Sequence, residues 1–191
     1  MNQQFTDLVD RARTAVIVKD DGSYCVHANR REEDLRGVLP GALIGKHITE
    51  LVDADPTLVE REFERFKRER NWVGQYRTHD SAGNPVRLRT CNFVHREWDG
   101  TALYASFAYL LGPHTGPDRD GPVDLADTGL TAEDVCTAQL CLDGYSDDEL
   151  AVLFGISADA VSDLVARFID RIGAGSRTEA CILARKSGFV V

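Results

Sequence analysis

Long apolar runs are scarce in this chain of 191 residues. The longest, "ALYASFAYLLG", is too short to cross a bilayer, and the opening "MNQQFTDLVDRART" carries acids and no apolar signal core. A soluble, cytoplasmic protein with no membrane partner is expected. Cysteine is sparse and unpaired in pattern: Cys25, Cys91, Cys136, Cys141 and Cys181 are odd in number and contain no Cys-x-x-Cys. The close Cys/His pairs, Cys25 with His27 and Cys91 with His95, do not have zinc-ligand spacing. Reduced, mostly buried thiols and no metal site are therefore expected. Internal repeats, a phosphate-binding glycine loop and a nucleophile, base and acid set are all missing, which argues against an enzyme.

Basic residues are also scarce, and only in one part of the chain. Residues 1–112 hold 17 acids against 16 bases, whereas residues 121–191 hold 12 acids against five bases, a net of −7. A segment this acidic has little of the counterion-release affinity that holds most proteins to DNA.

What the sequence does contain is punctuated once, at "GPHTGPDRDGP" (Gly112 to Pro122), where three Pro and three Gly interrupt the apolar pattern. This predicts a first unit over 1–112, a linker over 113–122 and a second unit over 123–191. Hydrophobic content of 43% is enough for ordinary globular cores.

In the first unit, "TAVIVKDDGSYCVHAN" reads as two short strands around a tight Asp-Asp-Gly turn. "REEDLRG" is a short helix stopped at Gly37, and "TLVEREFERFKRER" is a longer one with Leu58, Val59, Phe63 and Phe66 on one face. Three strands follow, "WVGQYRTH", "PVRLRTCNFVH" and "TALYASFAYLL". In the middle one, Val86, Leu88, Thr90, Asn92 and Val94 share a face, and Arg87, Arg89, Cys91, Phe93 and His95 share the other.

The second unit opens at Leu130. Thr131 with Asp134 reads as a capping box, and Leu130 with Val135 as a hydrophobic staple, on a helix ending at Gly144. Ser146 with Glu149 caps a second helix that stops at Gly155, and Ser157 caps a third with Val161, Leu164, Val165, Phe168, Ile169 and Ile172 forming its apolar stripe. Two helices across a short glycine turn make a helix-turn-helix.

The element order of residues 1–112, with "DDG" before a strand ending in "AN" and "ALIGKHITELV" ahead of the longer helix, resembles a PAS domain. That resemblance implies a five-stranded antiparallel sheet with helices, an α+β fold, holding a small molecule or relaying a dimer signal. The flavin photosensors of that family carry an Asn-Cys-Arg stretch that is absent here. Its haem sensors use a His on the longer helix, and Thr57 to Arg70 has none. Neither covalent flavin chemistry nor haem is expected; any cofactor is left unassigned. Thr90, Asn92, Tyr104 and Ser106 are candidate polar groups of a ligand pocket, or equally polar positions in a packed core.

Residues 130–190 resemble the LuxR-type helix-turn-helix, an all-α domain of four helices. The matching residues are Leu130-Thr131, Gly144, Ser146, Glu149, Ala151, Ile156-Ser157, Val161, "GSRTEA", Ala184 and Gly188. Two departures stand out. Asp148 takes the place of a phosphate-seeking Lys, and "AVSDL" (Ala160 to Leu164) stands where the family has Thr-Val-Lys-x-His. The resemblance implies DNA as partner, with Ser146, Ser157, Ser162, Asp163, Ala166, Arg167 and Arg171 as candidate contacts. Arg167 also reads as an i,i+4 partner of Asp163, and Arg177 as structural. A homodimer is implied, with Phe5, Leu8 and Val9 and the final helix "RTEACILARKSG" as candidate dimer surfaces.

Two functions follow. One is a transcription regulator in which the PAS unit controls DNA binding. The other is a protein whose acidic helix-turn-helix has left DNA and acts on another regulator or on RNA polymerase.

Overall fold

The computed structural model describes residues 1–52, 54–111, 121–123, 125, 128–188 and 190–191. Helix α1 (Gln3–Asp10) is followed by β1 (Ala15–Lys19), β2 (Cys25–Ala28), α2 (Arg30–Arg36), a single 3₁₀ turn (Ile48–Glu50) and α3 (Pro56–Glu69). Then come β3 (Asn71–His79), β4 (Pro85–Arg96), β5 (Ala102–Leu111) and a two-residue β6 (Gly121–Pro122). Four helices end the chain: α4 (Ala132–Leu142), α5 (Asp147–Phe154), α6 (Ala158–Arg171) and α7 (Arg177–Lys186).

The sheet has the order β2-β1-β5-β4-β3-β6 with every pairing antiparallel. The five expected strands are present, and β6 is an addition. Its two residues end the stretch expected to be a linker, and they pair with Gly74 and Gln75 on the outer edge of β3, where a proline costs no ladder bond. Residues 113–120, the rest of that linker, lie outside the described residues.

Strand parity divides the sheet into two faces. Register aligns Ile17, Ser106, Asn92 and Trp72 in one row of the inner face, beneath α2 and α3. The next outer-face row holds Val16, Phe107, Cys91 and Val73. On this outer face α4 packs across β3 and β4, and α5 packs on β4 and α1. One apolar cluster therefore contains Phe93, Phe107 and Val73 of the sheet together with Val135, Leu150 and Phe168 of the helices.

Polar contacts fix this seating. Tyr145 Oη donates to the Leu8 carbonyl at 3.1 Å, Cys136 Sγ to the Asn92 carbonyl at 3.8 Å, and Arg89 Nη1 to the Gly188 carbonyl at 2.7 Å. His95, stacked on Phe5 with ring centroids 4.1 Å apart, reaches the Leu153 carbonyl at 3.2 Å. Burial lowers its pKa below the ordinary histidine value, so the neutral ring is favoured there.

One expectation is overturned by this packing. Phe5, Leu8 and Val9 of α1 are buried against the chain's own sheet and α5 rather than offered to a second copy, because the outer face needs cover at the sheet end that α4 does not reach. In α7, Ala180, Cys181 and Ala184 are buried as well, leaving Ile182 as its exposed large apolar side chain.

The local punctuation works as expected. Asn29, the "AN" asparagine, caps α2 by accepting from Glu32 N at 3.1 Å, accepts from Val16 N at 3.0 Å, and donates to the Val9 and Thr14 carbonyls. Thr131 with Asp134 and Ser146 with Glu149 form complete capping boxes. Gly155 closes α5 at φ +62, and a Cβ there would lie 2.8 Å from both the N and the O of Arg96. Strain at positive φ and a clash with strand backbone act together. Gly155→Ala is expected to cost about 2 kcal/mol or more, beyond the 1 kcal/mol typical of a helix-terminal glycine, read as the shift in urea midpoint. A cost no larger than that would mean the turn can lift off β4.

Candidate functional site

The inner face of the sheet encloses a cavity of about 90 Å³ roofed by α3. Thr90, Asn92 and Ser106 line it. Tyr104 is not among the lining residues: its ring packs against Phe63 and Phe66, and its hydroxyl donates to Asp21 at 3.0 Å. Asn92 Nδ2 donates to Thr90 Oγ1 at 2.9 Å and to the Trp72 carbonyl at 3.0 Å, so the amide is held inside the sheet rather than free to swing.

The groups that give the cavity its chemistry are others. Lys19, at the end of an otherwise apolar β1, is buried, donates to Ser106 Oγ at 2.6 Å and lies under the rings of Phe63 and Phe66. Desolvation lowers its pKa to about 8, with Glu32 opposing the shift. Glu32 is itself matched by Arg36 at 2.5 Å. Glu62 and Trp72 also line the cavity, and Glu62 Oε2 and Trp72 Nε1 are buried with no hydrogen-bond partner among the described residues.

Gly74 makes room for that indole. A Cβ there would meet the Trp72 ring at 2.9 Å and Thr90 Oγ1 at 3.2 Å. The signals for these residues were present in sequence but ambiguous. Lys19 shares strand parity with Ile17, and Glu62 stands four residues after Leu58 and four before Phe66, within the apolar stripe of α3.

The second candidate surface is α6. Its apolar stripe is turned inward, with Val161, Leu164, Val165 and Phe168 buried. Ser162, Asp163, Ala166, Arg167 and Arg171 share the exposed side with Asp159 and Asp170. Ser146 and Ser157 are taken up as caps, accepting from Glu149 N at 3.3 Å and Ala160 N at 3.2 Å, and Ser162 Oγ donates back to the Ala158 carbonyl.

Both arginines are engaged by α4. Arg167 pairs with Glu133 at 3.6 Å, not with Asp163, and Arg171 pairs with the buried Asp134 at 2.6 Å. The i,i+4 reading of Arg167 fails because α4 runs beside α6 and offers a carboxylate across the helix interface. Arg177 is structural, bonding Asp147 and the Tyr145 carbonyl.

No group of three or more metal-ligating side chains occurs among the described residues, and no described helix is long and apolar enough to cross a membrane.

The family model described as the PAS fold matches residues 9–109, more than half of the chain. The chain belongs to the PAS fold family. No curated protein matches it. The d2 variant of RsLOV, 16% identical, covers 98% of this chain and 98% of its own with a TM-score of 0.56. The Vibrio cholerae VqmA dimer, whose description concerns DNA binding by LuxR-type receptors, is 19% identical over 100% of this chain and 91% of its own, TM-score 0.47. The PAS domain of an HTR-like protein from Haloarcula marismortui, 13% identical, covers 55% of this chain and 86% of its own, TM-score 0.49. The likeness to the RsLOV variant is one of fold alone.

Proposed function

We propose that the chain is a transcription regulator with a PAS sensor unit (residues 1–112) and a LuxR-type helix-turn-helix output unit (residues 123–191), acting as a homodimer. The observation that carries this reading is the double role of β4. Thr90 and Asn92 line the cavity, while Cys91 and Phe93 face the helical region. Asn92 itself joins the two, with its amide on the cavity side and its carbonyl accepting from Cys136 of α4. A ligand that alters the pleat of β4 at Asn92 would alter the seat of α4. In this reading the cavity is the sensory site, and the exposed side of α6, from Ser162 to Arg171, faces the DNA.

A second reading is favoured by one feature. The two arginines of α6 are matched by Glu133 and Asp134, and Asp159, Asp163 and Asp170 remain on the outer side. A helix so charged fits a basic protein surface, on another regulator or a polymerase subunit, better than it fits phosphate.

Selection of genomic DNA fragments by the purified chain, at low and at physiological salt, separates the two. The regulator reading expects enrichment of a discrete site with a shallow salt dependence, lost in Arg167→Ala and Arg171→Ala. No enrichment at either salt removes the DNA reading.

A further inference from the structure

We propose that the cavity takes a small, uncharged, dipolar molecule of amide type, holding its oxygen with Lys19 and Trp72 and its N–H with Glu62. This inference rests on the sensor reading above and names the ligand class of that site.

The unsatisfied groups are of two kinds. On the sheet side stand donors: the Lys19 ammonium, which uses one bond on Ser106, and the Trp72 indole N–H, which has no partner among the described residues. On the α3 side stands one acceptor, Glu62 Oε2, also without a partner there. Buried polar groups left in this state cost stability, and in native structures they mark a missing water or ligand.

Charge selects further among ligands. The Glu32–Arg36 pair is self-neutralising and Arg77, of opposite strand parity to Trp72, is exposed, which leaves Lys19 and Glu62 as opposite charges on the cavity wall, Glu62 Oε1 lying 3.4 Å from the exposed Arg61. A carboxylate would suit Lys19 but repel Glu62, and an ammonium the reverse. A neutral molecule with an acceptor at one end and a donor at the other satisfies both. The space, about 90 Å³, holds on the order of three waters or a single small ring, and the walls from Ile17, Phe63 and Phe66 are apolar.

The test uses three five-membered rings of nearly equal size on the ¹⁵N-labelled full-length chain: 2-pyrrolidinone, tetrahydrofuran as acceptor only, and pyrrolidinium as donor only. The readout is the Trp72 indole N–H resonance, with Trp98, which is 94% exposed, as the internal reference. The lactam is expected to move the Trp72 signal and leave Trp98 in place. The other two should bind about tenfold more weakly, each leaving a buried group unpaired. Glu62→Met should erase the preference for lactam over ether, and Lys19→Met should weaken the lactam and the ether together.

Equal binding of all three rings, or no displacement of the Trp72 signal by the lactam, overturns the assignment. DNA selection is scored separately. A chain that prefers the lactam but enriches no DNA keeps this ligand class and loses the regulator reading.

Discussion

Replacing Phe93 by alanine is expected to lower the stability of the sheet and of the helical region together, by about 3–5 kcal/mol. Phe93 is fully buried on the outer face of β4, with ring centroids 5.4 Å from Phe107 of β5 and 5.0 Å from Phe154 at the end of α5. Removing the ring opens a cavity lined by both units, and neither can collapse into it without moving the other. Urea unfolding followed by far-ultraviolet circular dichroism, which reports the helices, and by Trp72 fluorescence should show both transitions moving together to lower urea. Trp98 contributes little change, being exposed in the folded state. A helical transition left at the wild-type midpoint would mean that the helical region folds without the sheet.

Lys19→Met should change how stability depends on pH. The Lys19 pKa is lowered from 10.5 to about 8 by desolvation, so the unfolded chain binds more protons than the folded one between those values. Stability contributed by this group therefore rises as pH climbs through that window, by on the order of 3 kcal/mol in all. Below about pH 8 the wild type carries the full cost of a buried ammonium. Any advantage of the methionine variant should be greatest near pH 7 and shrink by that amount at pH 10.5. Taking the difference between the two proteins cancels groups that titrate alike in both; Cys25, whose thiol is pushed up to about 11 by burial and drawn down by Lys19, does not cancel. A difference that stays constant with pH would show Lys19 to be hydrated in the folded chain.

The sequence located α6 and its inward stripe, because Ser157, Gly155 and the spacing of Val161, Leu164, Val165 and Phe168 act within one or two turns. It could not say what Arg167 and Arg171 do. Their partners Glu133 and Asp134 lie over 30 residues away, and nothing local distinguishes an arginine aimed at phosphate from one held by a neighbouring helix. The cavity shows the same split. Thr90, Asn92 and Ser106 were legible from strand parity, whereas Lys19 and Glu62 were not singled out, because only the roof of α3 brings them to one cavity. In helix α4, Asp134, Thr137 and Gln139 are buried with its apolar residues because it is sandwiched between the sheet and both α6 and α7.

By itself, then, the sequence determined β1 to β5, α2 to α7, the caps of α4, α5 and α6 and the two faces of β4, for these depend on hydrogen bonds three or four residues apart and on the alternation of a strand. Only the tertiary structure decided that the helical region covers the outer face, that α1 is sealed beneath it, and that a lysine, a glutamate and a tryptophan surround one cavity. Those outcomes depend on segments far apart in the chain meeting in a single register, and no local pattern encodes that meeting.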